Sequence, residues 1–196
     1  MSPRTSEQFE KIRAEKYKLI MDVAIEIFAE KTYQGASVRM IAEKAGISKG
    51  LLYNYFENKE DLLKQIIKSA AKKVWEFFDP NKDGVLTKEE FIFFIKKGIQ
   101  VVKQNINYWK LYTALVLQPP VLEIIKDDID NLAAHYSNLI FNLFKSCKIN
   151  DPEGELILLS SMLRGAIVQY SAVPANFPID QFETKIIAYY SEKLKM

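Results

Sequence analysis

Between residues 37 and 59 the chain gathers hydroxyls and ammonium groups at spacings that suit an anionic surface. Ser37, Ser48, Tyr53 and Tyr55 carry O–H donors, and Lys49 and Lys59 carry cations. Groups of this kind hold phosphate oxygens and fix position along a nucleic acid, whereas sequence is read through contacts to base edges. Lys49, Gly50 and Leu51 would occupy the first turn of a short helix, the part that meets base edges when such a helix enters a major groove. Gly50 costs about 1 kcal/mol there relative to Ala, and a close backbone approach to another surface would explain it. The competing reading is a plain three-helix subdomain with tyrosines on its surface.

A second constellation follows at residues 79–90, DPNKDGVLTKEE. Calcium takes six to eight hard oxygen ligands, and a twelve-residue loop supplies them from fixed places. Here Asp79, Asn81 and Asp83 stand at positions one, three and five, Gly84 at the sharp turn, and Val85 offers a backbone carbonyl at seven. Thr87 stands at nine, where a water often bridges, and Glu90 at twelve could clasp an ion with both oxygens. Leu86 supplies the apolar residue that such loops tuck inward, and Trp75, Phe77, Phe78, Phe91 and Phe94 flank the segment. The stretch resembles a single EF-hand. An ion-free alternative stands beside it: a polar loop in which Thr87 caps the next helix and Glu90 completes a capping box.

The elements that must position the first constellation are written in its punctuation. Ser37 can cap a helix by accepting a free amide of its first turn. Val38, Ile41, Ala42 and Ala45 then recur at helical spacing. Gly46 tolerates the left-handed conformation that ends many helices, and Ile47 reads as a buried plug in the turn. Ser48 caps the next helix, whose inner face carries Leu52 and Phe56. Asn58 caps a third start, with Glu60 and Asp61 placed well for a helix amino terminus.

Residues 14–63 resemble the amino-terminal domain of the tetracycline-repressor (TetR/AcrR) family. The resemblance rests on Ala24, Phe28, Tyr33, Ser37, Val38, Ile41, Ala42, Ala45, Gly46, Ser48, Lys49, Gly50, Leu52, Tyr53, Tyr55, Phe56, Lys59, Leu62 and Leu63. It implies an all-helical, homodimeric transcriptional regulator, usually a repressor, that releases double-stranded DNA when a small molecule enters its C-terminal domain. By the same resemblance Ser37, Tyr53, Tyr55 and Lys59 would hold phosphates, while Lys49, Gly50 and Leu51 would face bases. Leu51 departs from the threonine often found there. Leucine cannot hydrogen-bond a base but can touch a thymine methyl.

Composition bounds the rest. The chain has 196 residues, 48% of them hydrophobic, and a formal net charge of +2, with its weak basic excess in residues 1–78. Its apolar runs are too short to cross a bilayer. The polar, charged stretch from Ser2 to Lys18 predicts no secretory leader. A lone Cys147 excludes an internal disulfide framework and suits a reducing cytoplasm. With one histidine, His135, which reads as a surface or packed residue, histidine-based nucleophile pairs are scarce, and no phosphate-cradling glycine loop is present. An enzyme is therefore not expected, no cofactor is required, and calcium is the one ion implied.

The pattern predicts an all-α chain of about nine helices in three parts: a helix-turn-helix domain over 1–57, a linking helix over 58–78, and an effector-binding and dimerisation domain over 79–196. The first helix should run from Gln8 to Lys31 on a stripe of Ile20, Val23, Ala24, Ile27 and Phe28. Later helices should span Asn58–Phe78, Lys88–Asn105, Tyr108–Leu117 (closed by Pro119 and Pro120), Val121–Cys147, a segment from Pro152 to before Pro174, and Ile179–Lys195. Phe94, Tyr108, Trp109, Tyr112, Met162 and Tyr170 form a candidate pocket for a hydrophobic or aromatic effector, with packed core as the alternative. Leu159, Met162, Gly165, Ala166 and Tyr170 form a candidate homodimer face, against ordinary intrachain core. The rival function is a calcium-binding sensor or scaffold protein acting through protein partners, which leaves Lys49, Tyr53, Tyr55 and Lys59 without a role.

Overall fold

A computed structural model describes residues 6–195. Among them the chain forms nine α-helices and no strand: α1 Ser6–Gly35, α2 Val38–Lys44, α3 Lys49–Tyr53, α4 Lys59–Trp75, α5 Lys88–Gln104, α6 Ile106–Val116, α7 Pro119–Ser146, α8 Pro152–Ala172 and α9 Ile179–Lys193. No helix among the described residues is long and apolar enough to cross a membrane.

The chain divides into two compact units. The first takes residues up to Ser69 together with Ala114–Ile125, and the second takes Ala70–Thr113 and Lys126 onward. The first unit therefore recruits the junction of α6 and α7, a return of the chain that no linear cut through the sequence expresses.

In the first unit the stripe of α1, Ile20, Val23, Ala24, Ile27 and Phe28, is buried as its spacing requires. Ile41, Leu52, Phe56, Leu62, Leu63 and Ile66 are also buried, and α2 packs on both α1 and α3. Tyr17 stacks on Phe56 with ring centres 4.9 Å apart, and its hydroxyl donates to Gln65. The α1 spiral breaks at Thr32, where φ is 63° and ψ 159°. Pro119 and Pro120 open α7 rather than close α6. Proline fits the first turn because its missing amide had no helical partner, and the C=O of Gln118 instead accepts the N–H groups of Val121 and Leu122.

In the second unit, α5 buries the stripe Phe91, Phe94, Ile95, Ile99 and Val102 and packs against α9. The core is aromatic. Trp75 stacks between Phe94 (5.2 Å) and Tyr136 (3.9 Å), and Phe78 meets Phe94 edge-on at 4.8 Å. Phe91 and Phe144 meet Tyr190 at 5.2 and 5.8 Å. Such pairs add about 0.5–1.5 kcal/mol each beyond area burial. Helix α4 ends at Trp75, short of Phe78, and Phe78 turns into the core.

Candidate nucleic-acid interface

The turn between α2 and α3 forms as its punctuation requires. Ser37 Oγ accepts the Met40 N–H at 3.2 Å, and Ser48 Oγ accepts the Leu51 N–H at 3.1 Å. Gly46 adopts φ 64°. The Ile47 N–H donates to the Ala42 carbonyl and the Gly46 N–H to the Glu43 carbonyl, at 3.0 and 3.2 Å. These two bonds make a Schellman ending for α2. Ile47 is half-buried rather than fully buried, because the chain turns straight into the exposed cap of α3.

Lys49, Gly50, Leu51 and Tyr53 are exposed and Tyr55 is half-buried. A Cβ added at Gly50 would meet nothing within 4 Å, so no packing inside the chain calls for glycine there. Lys49 Nζ lies 5.7 Å from the Tyr53 ring centre, and the Arg13 guanidinium 5.8 Å from that of Tyr55. Both contacts keep cations beside the phenol rings. Neighbouring charges on α2 are already paired: Arg39 with Glu43 at 2.7 Å and Lys44 with Glu26 at 2.9 Å.

Lys59 is placed differently from its sequence-based role. Its ammonium donates to the carbonyls of Tyr33 (2.9 Å) and Ala36 (3.0 Å) and lies 4.4 Å from the Tyr33 ring centre. Two of its three donors are thus spent inside the protein. Burial lowers its pKa below the ordinary lysine value.

In loop 79–90 Gly84 adopts φ 75° and Leu86 is buried. Its oxygens, however, serve the loop's own donors. The Gly84 N–H donates to Asp79, the Val85 N–H to Asp83, and Asn81 Nδ2 to Asp83. Glu90 accepts the Thr87 N–H at 2.9 Å and the Thr87 hydroxyl at 2.8 Å, completing the capping box of α5. Among the described residues no group of three or more His, Cys, Asp or Glu side chains is arranged to hold a metal ion. Asp79 Oδ1 is buried without a hydrogen-bond partner.

The candidate effector residues fall into two clusters. Tyr108, Trp109, Tyr112 and Tyr170 gather around Ala70 and Val102, whereas Phe94 and Met162 belong to the main core, which Tyr170 also touches. Burial pushes the Tyr112 phenol up to about 12, with Arg164 opposing the rise. Trp109 Nε1 and Ser171 Oγ are buried without partners. An open depression of about 590 Å³, lined by residues between Cys147 and Leu158 and by Lys193, contains none of the candidate effector residues. His135 is exposed and lies edge-on to Tyr136.

Of the candidate dimer residues, Leu159 and Ala166 are only 2% and 3% exposed and face the chain's own core. A second copy cannot touch what α5, α7 and α9 leave inside. The outward apolar residues of α8 are Ile157 (65% exposed) and Leu158 (54%), with Gly165 open beside them on the same helix. Met162 and Tyr170 are half-buried. Both stripes of α8 are apolar, so helical spacing alone does not separate the inner stripe from the outer one.

Residues 20–66 match the model of the bacterial regulatory proteins of the tetR family. The fatty acid metabolism regulator protein of Bacillus subtilis is 31% identical over 126 residues, 64% of each chain. The biofilm operon icaADBC negative transcriptional regulator IcaR of Staphylococcus epidermidis is 30% identical over 103 residues, 53% of this chain and 55% of that protein. These alignments thus span less than two thirds of either relative. For the fold, the structure of native NalD, the secondary repressor of the MexAB-OprM multidrug efflux pump in Pseudomonas aeruginosa, superposes with a TM-score of 0.72. That match has 17% identity and covers 92% of this chain and 97% of that one. Residues 20–66 therefore match the tetR family of bacterial regulatory proteins, and the chain as a whole shares the all-helical fold of the NalD structure.

Proposed function

We propose that the protein is a transcriptional repressor that binds a near-palindromic duplex as a homodimer and releases it when a small hydrophobic or aromatic molecule binds. The observation that carries the reading is the first turn of α3. Lys49, Gly50 and Leu51 are exposed, capped by Ser48 and held by the Gly46 turn. In this reading Ser37, Ser48, Tyr53 and Tyr55 donate to phosphates, Lys59 adds charge beside them, and Leu51 meets a thymine methyl. Repression is supported by the negative regulator among the relatives. The self-association face is the outer side of α8, Ile157, Leu158 and Gly165, and two heads about one DNA turn apart would read the two half-sites. The effector reading rests on Tyr108, Trp109, Tyr112 and Tyr170, whose walls are aromatic and whose Trp109 Nε1 has no partner.

Selection from a random duplex pool, followed by gel-shift titration, tests the reading. A palindrome should emerge, with binding that falls steeply with salt. Tyr53→Phe should weaken every duplex alike, while replacing Leu51 should change which duplexes are chosen. If both variants bind every duplex as the parent does, the α3 assignment is wrong.

A calcium role for Asp79, Asn81, Asp83, Val85, Thr87 and Glu90 is the second reading. It is favoured by the buried, unpartnered Asp79 Oδ1 and opposed by the capping role of Glu90. Binding would have to pull Glu90 from Thr87. Calorimetry decides: no heat at millimolar calcium, with Glu90→Gln behaving the same, removes it.

A further inference from the structure

Thr32 has φ 63° and ψ 159°, a region occupied almost only by glycine. For a β-branched residue this is an outlier that the surroundings must enforce. The break takes the Tyr33 N–H out of the α1 ladder, and a side chain distant in sequence supplies its partner. The Tyr33 N–H donates to Gln118 Oε1 at 2.7 Å. Gln118 Nε2 donates to the Phe28 carbonyl at 3.0 Å and to the Ala114 carbonyl at 3.3 Å. One carboxamide thus serves an N–H on one side of Thr32 and a C=O on the other. Among side chains of this length only glutamine offers an acceptor and a donor together without charge. Gln118 is itself fixed, because its backbone carbonyl caps α7. From the other side Lys59 holds the carbonyls of Tyr33 and Ala36. Ser37 and α2 follow at once.

We propose that Gln118 is a positioning residue for DNA binding: by bridging the Thr32 break it fixes the Tyr33–Ala36 turn and hence the placement of Ser37 and α2 beneath α3. The inference rests on the DNA-binding reading above and adds that the head is incomplete without the α6–α7 junction.

The test uses the full chain and a duplex selected with it from a random pool, at a temperature well below unfolding. Gln118→Met removes both hydrogen-bonding functions at similar volume. Gln118→Glu keeps the acceptor for Tyr33 but turns a carboxylate toward the carbonyls of Phe28 and Ala114. In Gln118→Met the Tyr33 amide should exchange hydrogen at least about tenfold faster, while the Leu63 and Ile66 amides exchange as before. Duplex affinity should fall by about tenfold, as expected for losing the two of the three Gln118 side-chain hydrogen bonds that bridge Thr32. Gln118→Glu should retain Tyr33 protection yet still bind the duplex more weakly, so it decides the question if the methionine variant does not fold. Unchanged Tyr33 exchange in Gln118→Met overturns the bridge. Faster Tyr33 exchange with undiminished duplex affinity overturns the positioning role. A parent chain that selects no duplex overturns the DNA-binding reading instead, and leaves the exchange result standing by itself.

Discussion

Gly50→Ala should make the protein more stable and a poorer DNA binder. Gly50 lies in the first turn of α3 with ordinary helical backbone, and a Cβ there would meet nothing within 4 Å. No clash therefore opposes the change in the free protein. Alanine should gain about 0.5–1 kcal/mol by restricting the unfolded chain and favouring the helix. With a urea slope of roughly 2 kcal/mol/M, the unfolding midpoint should rise by about 0.3–0.5 M. In the complex the same methyl would stand between the α3 backbone and the duplex. A contact too close by a methyl group forces the helix away, and the hydrogen bonds around it lengthen together. A loss of tenfold or more in affinity is about 1.4 kcal/mol or above, larger than the stability gain and opposite in sign. Urea melts and duplex titration on one preparation give both numbers. A fall in stability would refute the open-space argument. Unchanged affinity would show that α3 does not approach a duplex at Gly50.

Three further outcomes follow from particular geometry. Gly46→Ala should destabilise the head by about 1–2 kcal/mol, the cost of the left-handed conformation for a residue with a Cβ, since its φ is 64° and the space around it is open; Gly46→Asn should cost less, as urea melts would show. Ile157→Asp should lower the oligomeric state seen by sedimentation without reducing thermal stability of the single chain, whereas Leu159→Ala should cost about 2–5 kcal/mol of stability because Leu159 is core. Tyr112 should resist ionisation until pH about 12. Its folded pKa lies above the unfolded value of 10.0, so its contribution to stability is complete below pH 10 and is lost as pH rises toward 12. Ultraviolet titration should show one late-titrating tyrosine fewer in Tyr112→Phe, with the buried Tyr190 still late in both proteins.

The features legible from residue order alone are local. Each cap and its amide lie three residues apart, as with Ser37 and Met40 or Ser48 and Leu51. The glycine that ends α2 stands beside the carbonyls it helps to satisfy, and one helical period separates the residues of each buried stripe. Such relations are decided by bonds that close within a turn or two, so residue type and spacing reveal them, and the exposed face of α3 came with them. The helix ends near Pro119 were harder, because proline both stops one helix and starts another, and only the carbonyl of Gln118 resolves which.

Packing settles the places where a distant partner outbids a local one. Lys59 reads as a cation for phosphate, yet it sits on carbonyls 23 and 26 residues back in the chain. Gln118 carries no signal in its own neighbourhood, and its partners on α1 are 85 and 90 residues away. In α8 both faces are apolar, so periodicity alone could not say that Leu159 turns inward and Ile157 outward; that choice belongs to the helices packed against it. At residues 79–90 one set of oxygens suits either an ion or the loop's own amides, and in the fold the amides, tethered nearby, hold them. Spacing fixes which groups are near one another along a helix, but a side chain with several satisfactory partners is committed only when packing brings one of them within hydrogen-bond reach.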